Sequence, residues 1–345
     1  MNKMCLKKYL KGRCSSVKKT WMATVCFVCA IGIAGCQGTS EKERTVEIKE
    51  NESKQPIENI KKPVTYEEDR QVIINIVDPN TLEIIHTLSP KELGYETNQE
   101  SYKKKVEQLA KELARGTDTF AGYDKRMVLD RVDESGQISK GSPMTVLKER
   151  ELVEKILAAS VMGGNVEMPL YVTESGYSFE DIPYLEEVVV ASYTTYFHTA
   201  DTGRNKNIEL SAKAIHNVIV GSGDYFSFNT VVGPRDEANG YQPAPEIINK
   251  KIVMGIGGGI CQTSSTLFNT VDQIPIKIVE RHHHSLDIGY VPKGRDATVA
   301  YGSLDFRFQN TNDVPFLIKA IYEDGSLTIE VRTAEKYVDR LIKMP

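Results

Sequence analysis

Apolar, β-branched residues alternate with polar ones over QVIINIV (71–77) and LEIIHTL (82–88), on either side of the turn cluster Asp78-Pro79-Asn80-Thr81. A period of two on both flanks of a turn predicts a β-hairpin. The period then lengthens: Tyr102, Val106, Leu109, Ala110 and Leu113 recur at helical spacing and predict a helix from about Gln99 to Arg115. RMVLDRVDESGQISKG reads as a second hairpin about Glu134-Ser135-Gly136. ERELVEKILAASVM reads as a helix closed by Gly163-Gly164, and VEMPLYVT as a strand.

Farther along, IELSAKAIHNVIV predicts a helix and GDYFSFNTVVG a strand or loop ended by Gly233-Pro234. GYQPAPEII reads as extended, because a residue before proline is pushed out of the helical region. A glycine run, a helix after Cys261 and a strand IKIVERHHHSLDIGYV follow. DFRFQ, FLIKAIYE and SLTIEVR are expected to pair through turns at Asn310 to Asp313 and at Asp324-Gly325 as an antiparallel meander. Helices and strands mix without a βαβ rhythm, which predicts an α+β fold. Two mixed domains are expected, at 63–180 and 188–332, with a tail at 333–345.

The N-terminus has a different pattern. Seven Lys and Arg residues precede the apolar run WMATVCFVCAIGIAG, and no acidic residue occurs before Cys36. The run is short for a spanning helix of about 20 residues and ends in small residues, as a secretory signal does. Ile33-Ala34-Gly35-Cys36 resembles a lipobox, with Cys36 as the lipidated residue; an uncleaved signal anchor is the alternative. Either way the bulk of the protein is expected outside the cytoplasmic membrane, anchored to its outer face. The charged stretch 37–62 reads as a solvated tether, with a root-mean-square reach of about 30 Å.

Export changes the cysteine and charge arithmetic. Cys5, Cys14, Cys26 and Cys29 belong to the signal, so with Cys36 lipidated, Cys261 is the only free thiol of the mature chain and no intrachain disulfide framework is possible. Loss of residues 1–35 removes seven positive charges and no negative ones, moving the net charge from −4 to about −11. So acidic a chain is a poor partner for nucleic acid.

The stretch GIGGGICQTSSTLFNTV (255–271) therefore carries the candidate chemistry. Cys261 stands at a predicted helix start, where the polar residues after it can cap free N–H groups and the helix dipole favours thiolate. Gly258 and Gly259 are candidate oxyanion donors to a bound substrate. A buried structural thiol is the competing reading. A nucleophilic cysteine needs a base, usually histidine. If IKIVERHHHS is a strand, Ile276, Ile278, Glu280, His282 and His284 share one face, so His284 and His282 are better placed than His283 to reach a buried site. Asp296 is a candidate to orient the histidine and Arg295 to bind a substrate carboxylate; a structural Arg–Asp pair is the alternative. GxxxxGK[ST] is absent, and no second cysteine or spaced histidine pair completes a zinc site, so no metal or cofactor is expected.

SYTTYF, FSFNTVVGPR, GGGICQTSSTLFN, ERHHHS and GRDATVAYGSLDFRF occur in the order found in the VanW-like domain of Gram-positive surface proteins, which the chain resembles over about Val190 to Ala320. SPKELGY and the ERELVEKI helix more loosely resemble the peptidoglycan-binding domain that often precedes it. The resemblance implies a cell-wall role linked by name to vancomycin resistance. Because some members are reported as cysteine-dependent L,D-transpeptidases, it also implies Cys261 as nucleophile, His284 as base, and peptidoglycan stem peptides as partners. A non-catalytic peptidoglycan-binding lipoprotein and a cysteine endopeptidase or carboxypeptidase of wall peptides are the alternatives.

Overall fold

The alternation at the start of the folded region forms β1 (Ile74–Val77) and β2 (Ile84–Leu88), paired antiparallel as expected. They are followed by α1 (Pro90–Leu93), α2 (Gln99–Arg115), β3 (Arg131–Val132), β4 (Ile138–Ser139), β5 (Met144–Leu147), α3 (Glu149–Ala159), β6 (Gly164–Glu167) and β7 (Leu170–Thr173). The computed structural model describes residues 71–248 and 251–342, all within one compact unit, Glu67–Pro345. The predicted signal, Cys36 and the tether lie outside the described residues. Among those described, no helix is long and apolar enough to cross a membrane.

The α2 stripe buries Tyr102, Val106, Ala110 and Leu113 against Leu152 and Ile156 of α3 and Ile74 and Ile76 of β1. VEMPLYVT is two strands rather than one, broken at Met168-Pro169: β6 runs parallel to β1, and β7 pairs with β5. The proline supplies no N–H for a ladder, so the strand changes sheets there.

The second half comprises β8 (Val188–Tyr196), α4 (Thr202–Ile215), β9 (Val218–Val220), β10 (Tyr225–Ser227), α5 (Phe228–Val232), β11 (Pro243–Ile248), β12 (Lys251–Ile256), α6 (Ile260–Val271), β13 (Lys277–Glu280), β14 (Arg307–Gln309), β15 (Phe316–Glu323), β16 (Ser326–Thr333) and α7 (Val338–Leu341). The helix read in IELSAKAIHNVIV starts earlier, at Thr202, and stops before Asn217, whose φ of 61° turns the chain into β9.

An antiparallel sheet of order β4-β3-β9-β15-β16-β8 forms the floor of this half. The hairpin β3–β4 from the first region joins its edge through Arg131 and Val218. Period-two alternation gives the sheet two apolar faces: Val218, Val220, Phe316 and Ile318 enter the main core, while Ile219 and Leu317 face Leu185 on the other side. The hairpin β15–β16 forms as expected. The third strand of the expected meander does not join it, because β14 pairs with β10 and β13 in a separate sheet. The intervening turn is held by Asn310, whose Nδ2 donates to the carbonyls of Gly221 and Val314 at 2.9 Å. The chain is thus α+β.

Helix α6 lies in the core against β8 and β16, with α4 beside it. Its polar run is buried and does not cap the helix: the N-cap is Gly259, without a side-chain cap. Thr263 bonds Ser211 (2.7 Å), Thr266 bonds Thr195 (2.8 Å), and Ser265 accepts the N–H of Ala297 (2.9 Å). These hydroxyls satisfy one another inside the core, as burial demands, and they fix where the helix begins.

Candidate active site

Cys261 sits in the first turn of α6, half-buried, because the preceding glycines permit a turn closed to other residues. Gly257 and Gly259 have φ of 100° and 107°. Gly258 is pressed so closely to β11 that a Cβ there would stand 2.6 Å from the carbonyl oxygen of Pro245. Asn207 of α4 clamps this run: its Nδ2 donates to the carbonyls of Gly258 and Gln242 (both 2.9 Å), and its Oδ1 accepts the N–H of Gln242 (2.7 Å). The N–H groups of Gly258, Gly259 and Cys261 have no backbone carbonyl partner among the described residues, so they stay available as oxyanion donors.

The thiol opens into a cleft of about 580 Å³ that also holds His284, His283, Arg204, Arg235, Glu246 and Tyr290. In this arrangement Sγ donates to the carbonyl of Val299 at 3.5 Å rather than to a histidine. Burial pushes the thiol above its ordinary pKa, although Val299 and the positive charge of Arg235 pull it down. Loss of solvation therefore works against the thiolate expected from the helix start.

His284 is bound to buried Asp296 by two contacts. Oδ2 accepts its backbone N–H at 2.6 Å and its Nδ1 at 2.8 Å, while Oδ1 accepts Nδ1 of His283 at 2.8 Å. Burial raises the Asp296 pKa, but these bonds outweigh it and hold the carboxyl down at about 2. An ionised carboxylate only accepts hydrogen bonds, so Nδ1 of neutral His284 carries the proton and Nε2 carries the lone pair. That is the tautomer a general base needs.

Two sequence-assigned residues fall elsewhere. His282 bonds Glu280 at 3.0 Å and is not part of the cleft wall, whereas His283 is. The period-two argument fails because β13 ends at Glu280 after a register shift, so the histidines no longer alternate along a strand. Arg295 is committed to Asp272 and Asn269, both at 2.8 Å, and lies over the Phe268 ring; it does not line the cleft.

Arg235, which carried no assignment, is the arginine the cleft contains without a partner. Its Nε, Nη1 and Nη2 are all buried with no hydrogen bond. Arg204 instead donates to Gln262 at 2.7 Å and lies by the Tyr290 ring. The GPR sequence after α5 was the available signal, but only the tertiary surroundings show that this arginine is unpaired. Among the described residues, no group of three or more His, Cys, Asp or Glu side chains is placed to hold a metal ion.

Fold and site together define an α+β protein whose cleft presents a cysteine, a carboxylate-oriented histidine and an unpaired guanidinium. The family model described as VanW like protein matches residues 203–332, a span that includes Arg204, Arg235, Cys261, His284 and Asp296. The chain is 39% identical over 216 residues to uncharacterized protein YoaR of Bacillus subtilis (strain 168), covering 62% of this chain and 71% of that protein. It is 29% identical over 143 residues to vancomycin B-type resistance protein VanW of Enterococcus faecalis (strain ATCC 700802 / V583), covering 40% of this chain and 52% of that protein. The chain belongs to the VanW-like protein family. No solved structure matches it.

Proposed function

We propose that this protein is an extracytoplasmic cell-wall enzyme, a cysteine-dependent L,D-transpeptidase that forms 3–3 cross-links between peptidoglycan stem peptides. The observation that carries the reading is that Cys261 and His284 line one cleft while Asp296 fixes the basic tautomer of His284. The name of the Enterococcus relative, a vancomycin resistance protein, fits a place in the cell wall. A lipid on Cys36 would hold the enzyme at the membrane surface.

Substrate entry turns Sγ away from Val299. Nε2 of His284 takes the thiol proton as sulfur attacks the carbonyl carbon of the third stem residue, a diamino acid. The N–H groups of Cys261 and the preceding glycines donate hydrogen bonds to the developing oxyanion. Collapse breaks the C–N bond, His284 protonates the departing D-alanine amine, and a thioester remains. The side-chain amine of a second stem then attacks the thioester, passing a proton to His284, and the thiol leaves protonated. Water in place of that amine gives a carboxypeptidase.

The protonated thiol on Val299 favours a second reading, a non-catalytic peptidoglycan-binding lipoprotein. Mass spectrometry of purified muropeptides incubated with wild type and Cys261→Ala separates the two. The enzyme gives 3–3 dimers, or tripeptides if water wins, only with Cys261; a binding protein changes no muropeptide. Soluble fragments from internal cleavage would instead mark an endopeptidase.

A further inference from the structure

The Arg235 guanidinium is buried in the wall of the cleft with all three nitrogens unpartnered. It rests 5.7 Å from the Phe228 ring and 5.4 Å from the Tyr301 ring, contacts that hold the planar group without engaging its N–H donors. The nearby carboxylate of Asp305 is committed to Arg126, to Ser227 and to the N–H of Asn229. A guanidinium stays charged at any working pH, and a buried charge without a counter-ion is costly. Glu246, the carboxylate that shares the cleft wall, makes no hydrogen bond to Arg235 either, and a rigid fork of donors matches a carboxylate in two-point contact.

We propose that Arg235 binds the free carboxylate of the substrate's C-terminal residue, the one released as D-alanine. The inference rests on the acyl-transfer reading. Arg235 shares the cleft wall with Cys261 and its charge acts on the thiol, so the anion it binds lies close to the scissile carbonyl. In a tetrapeptide stem, the terminal carboxylate is three bonds from that carbonyl carbon. The side-chain carboxylate of the diamino acid is farther along the chain. Arg235 therefore makes the enzyme one that removes a single terminal residue and rejects an internal peptide bond, whose corresponding carbonyl carries no charge.

The test uses the full chain and two synthetic tetrapeptide stems, one ending in D-alanine and the other in D-alanine carboxamide, with thioester formation followed by intact-protein mass. Wild type is expected to acylate on the free acid about 100-fold faster than on the amide. Arg235→Gln loses the fast reaction and brings the acid-to-amide ratio near one; Arg235→Lys keeps part of the preference, as a point charge does. Arg235→Met raises the thermal midpoint of the ligand-free protein, which a purely structural arginine would lower. Equal wild-type rates on acid and amide overturn the inference while leaving Cys261 as nucleophile. So does a preference retained in Arg235→Gln. Absence of any Cys261 adduct with either stem removes the acyl-transfer reading and this one with it. Equal wild-type rates overturn it even if an Arg235 variant fails to fold, and loss of the preference in Arg235→Gln or Arg235→Lys is what assigns it to Arg235 rather than to Arg204 of the same cleft.

Discussion

Oδ2 of Asp296 accepts both the backbone N–H and Nδ1 of His284, at 2.6 and 2.8 Å. One carboxylate oxygen thus fixes the position of the residue and the tautomer of its ring, leaving Nε2 as the basic atom. Asp296→Asn preserves the shape, but its side-chain amide can present an N–H to the histidine and reverse the tautomer. Acyl transfer should fall by about 10³- to 10⁴-fold, with stem binding little changed. Single-turnover rates beside a stem-binding isotherm check this.

The same carboxylate sets an acid limit. Its folded pKa of about 2 lies below the ordinary 3.8, so the stabilisation it confers is fully present above about pH 4 and is lost as pH falls toward 2. Urea midpoints measured from pH 5 to pH 2 should decline more steeply in wild type than in Asp296→Asn. Parallel curves would contradict the assignment.

Cys261 is expected to be a slow thiol at rest, since burial raises its pKa. Labelling with iodoacetamide should be slower at pH 7 than for a free cysteine and should still be climbing at about pH 9. A plateau near neutrality would show a resting thiolate–imidazolium pair instead.

The glycine run depends on Asn207 and on the absence of a side chain at position 258. Asn207→Leu removes three hydrogen bonds, one to Gly258 and two to Gln242, and should cost about 3 kcal/mol. Gly258→Ala places a methyl against the backbone of Ala244 and Pro245 and should cost about 1–3 kcal/mol. Both are read from denaturant midpoints. Arg295→Gln, which breaks contacts to Asp272 and Asn269, should lower stability without altering the acid-to-amide preference.

Local pattern carried much of this far. The period of two at Ile74–Val77, the helical stripe of α2 and the glycine turn before Cys261 are written in neighbouring residues, and the structure forms them there. A period-two face and the ERHHHS motif point to His284, and the polar cluster after it to Asp296, but their mutual bonds are a tertiary fact. What sequence reasoning missed depends on distant partners. Arg295 was expected to bind a substrate carboxylate, but Asp272, more than twenty residues away, neutralises it. Arg235 differs in having no such partner, and no local pattern reveals that. The exchange of His282 for His283 follows from where β13 stops, and the separation of β14 from β15 from the turn at Asn310.

The central claim is that Cys261 becomes covalently acylated through the base His284. Rapid-quench intact-protein mass spectrometry with a tetrapeptide stem tests it most directly. The expected product is an adduct on Cys261 equal to the stem less its terminal D-alanine, slowed about 10³-fold in His284→Ala and absent in Cys261→Ala. An unmodified wild-type protein that nevertheless binds the stem, or cross-linking that persists in Cys261→Ala, would contradict it.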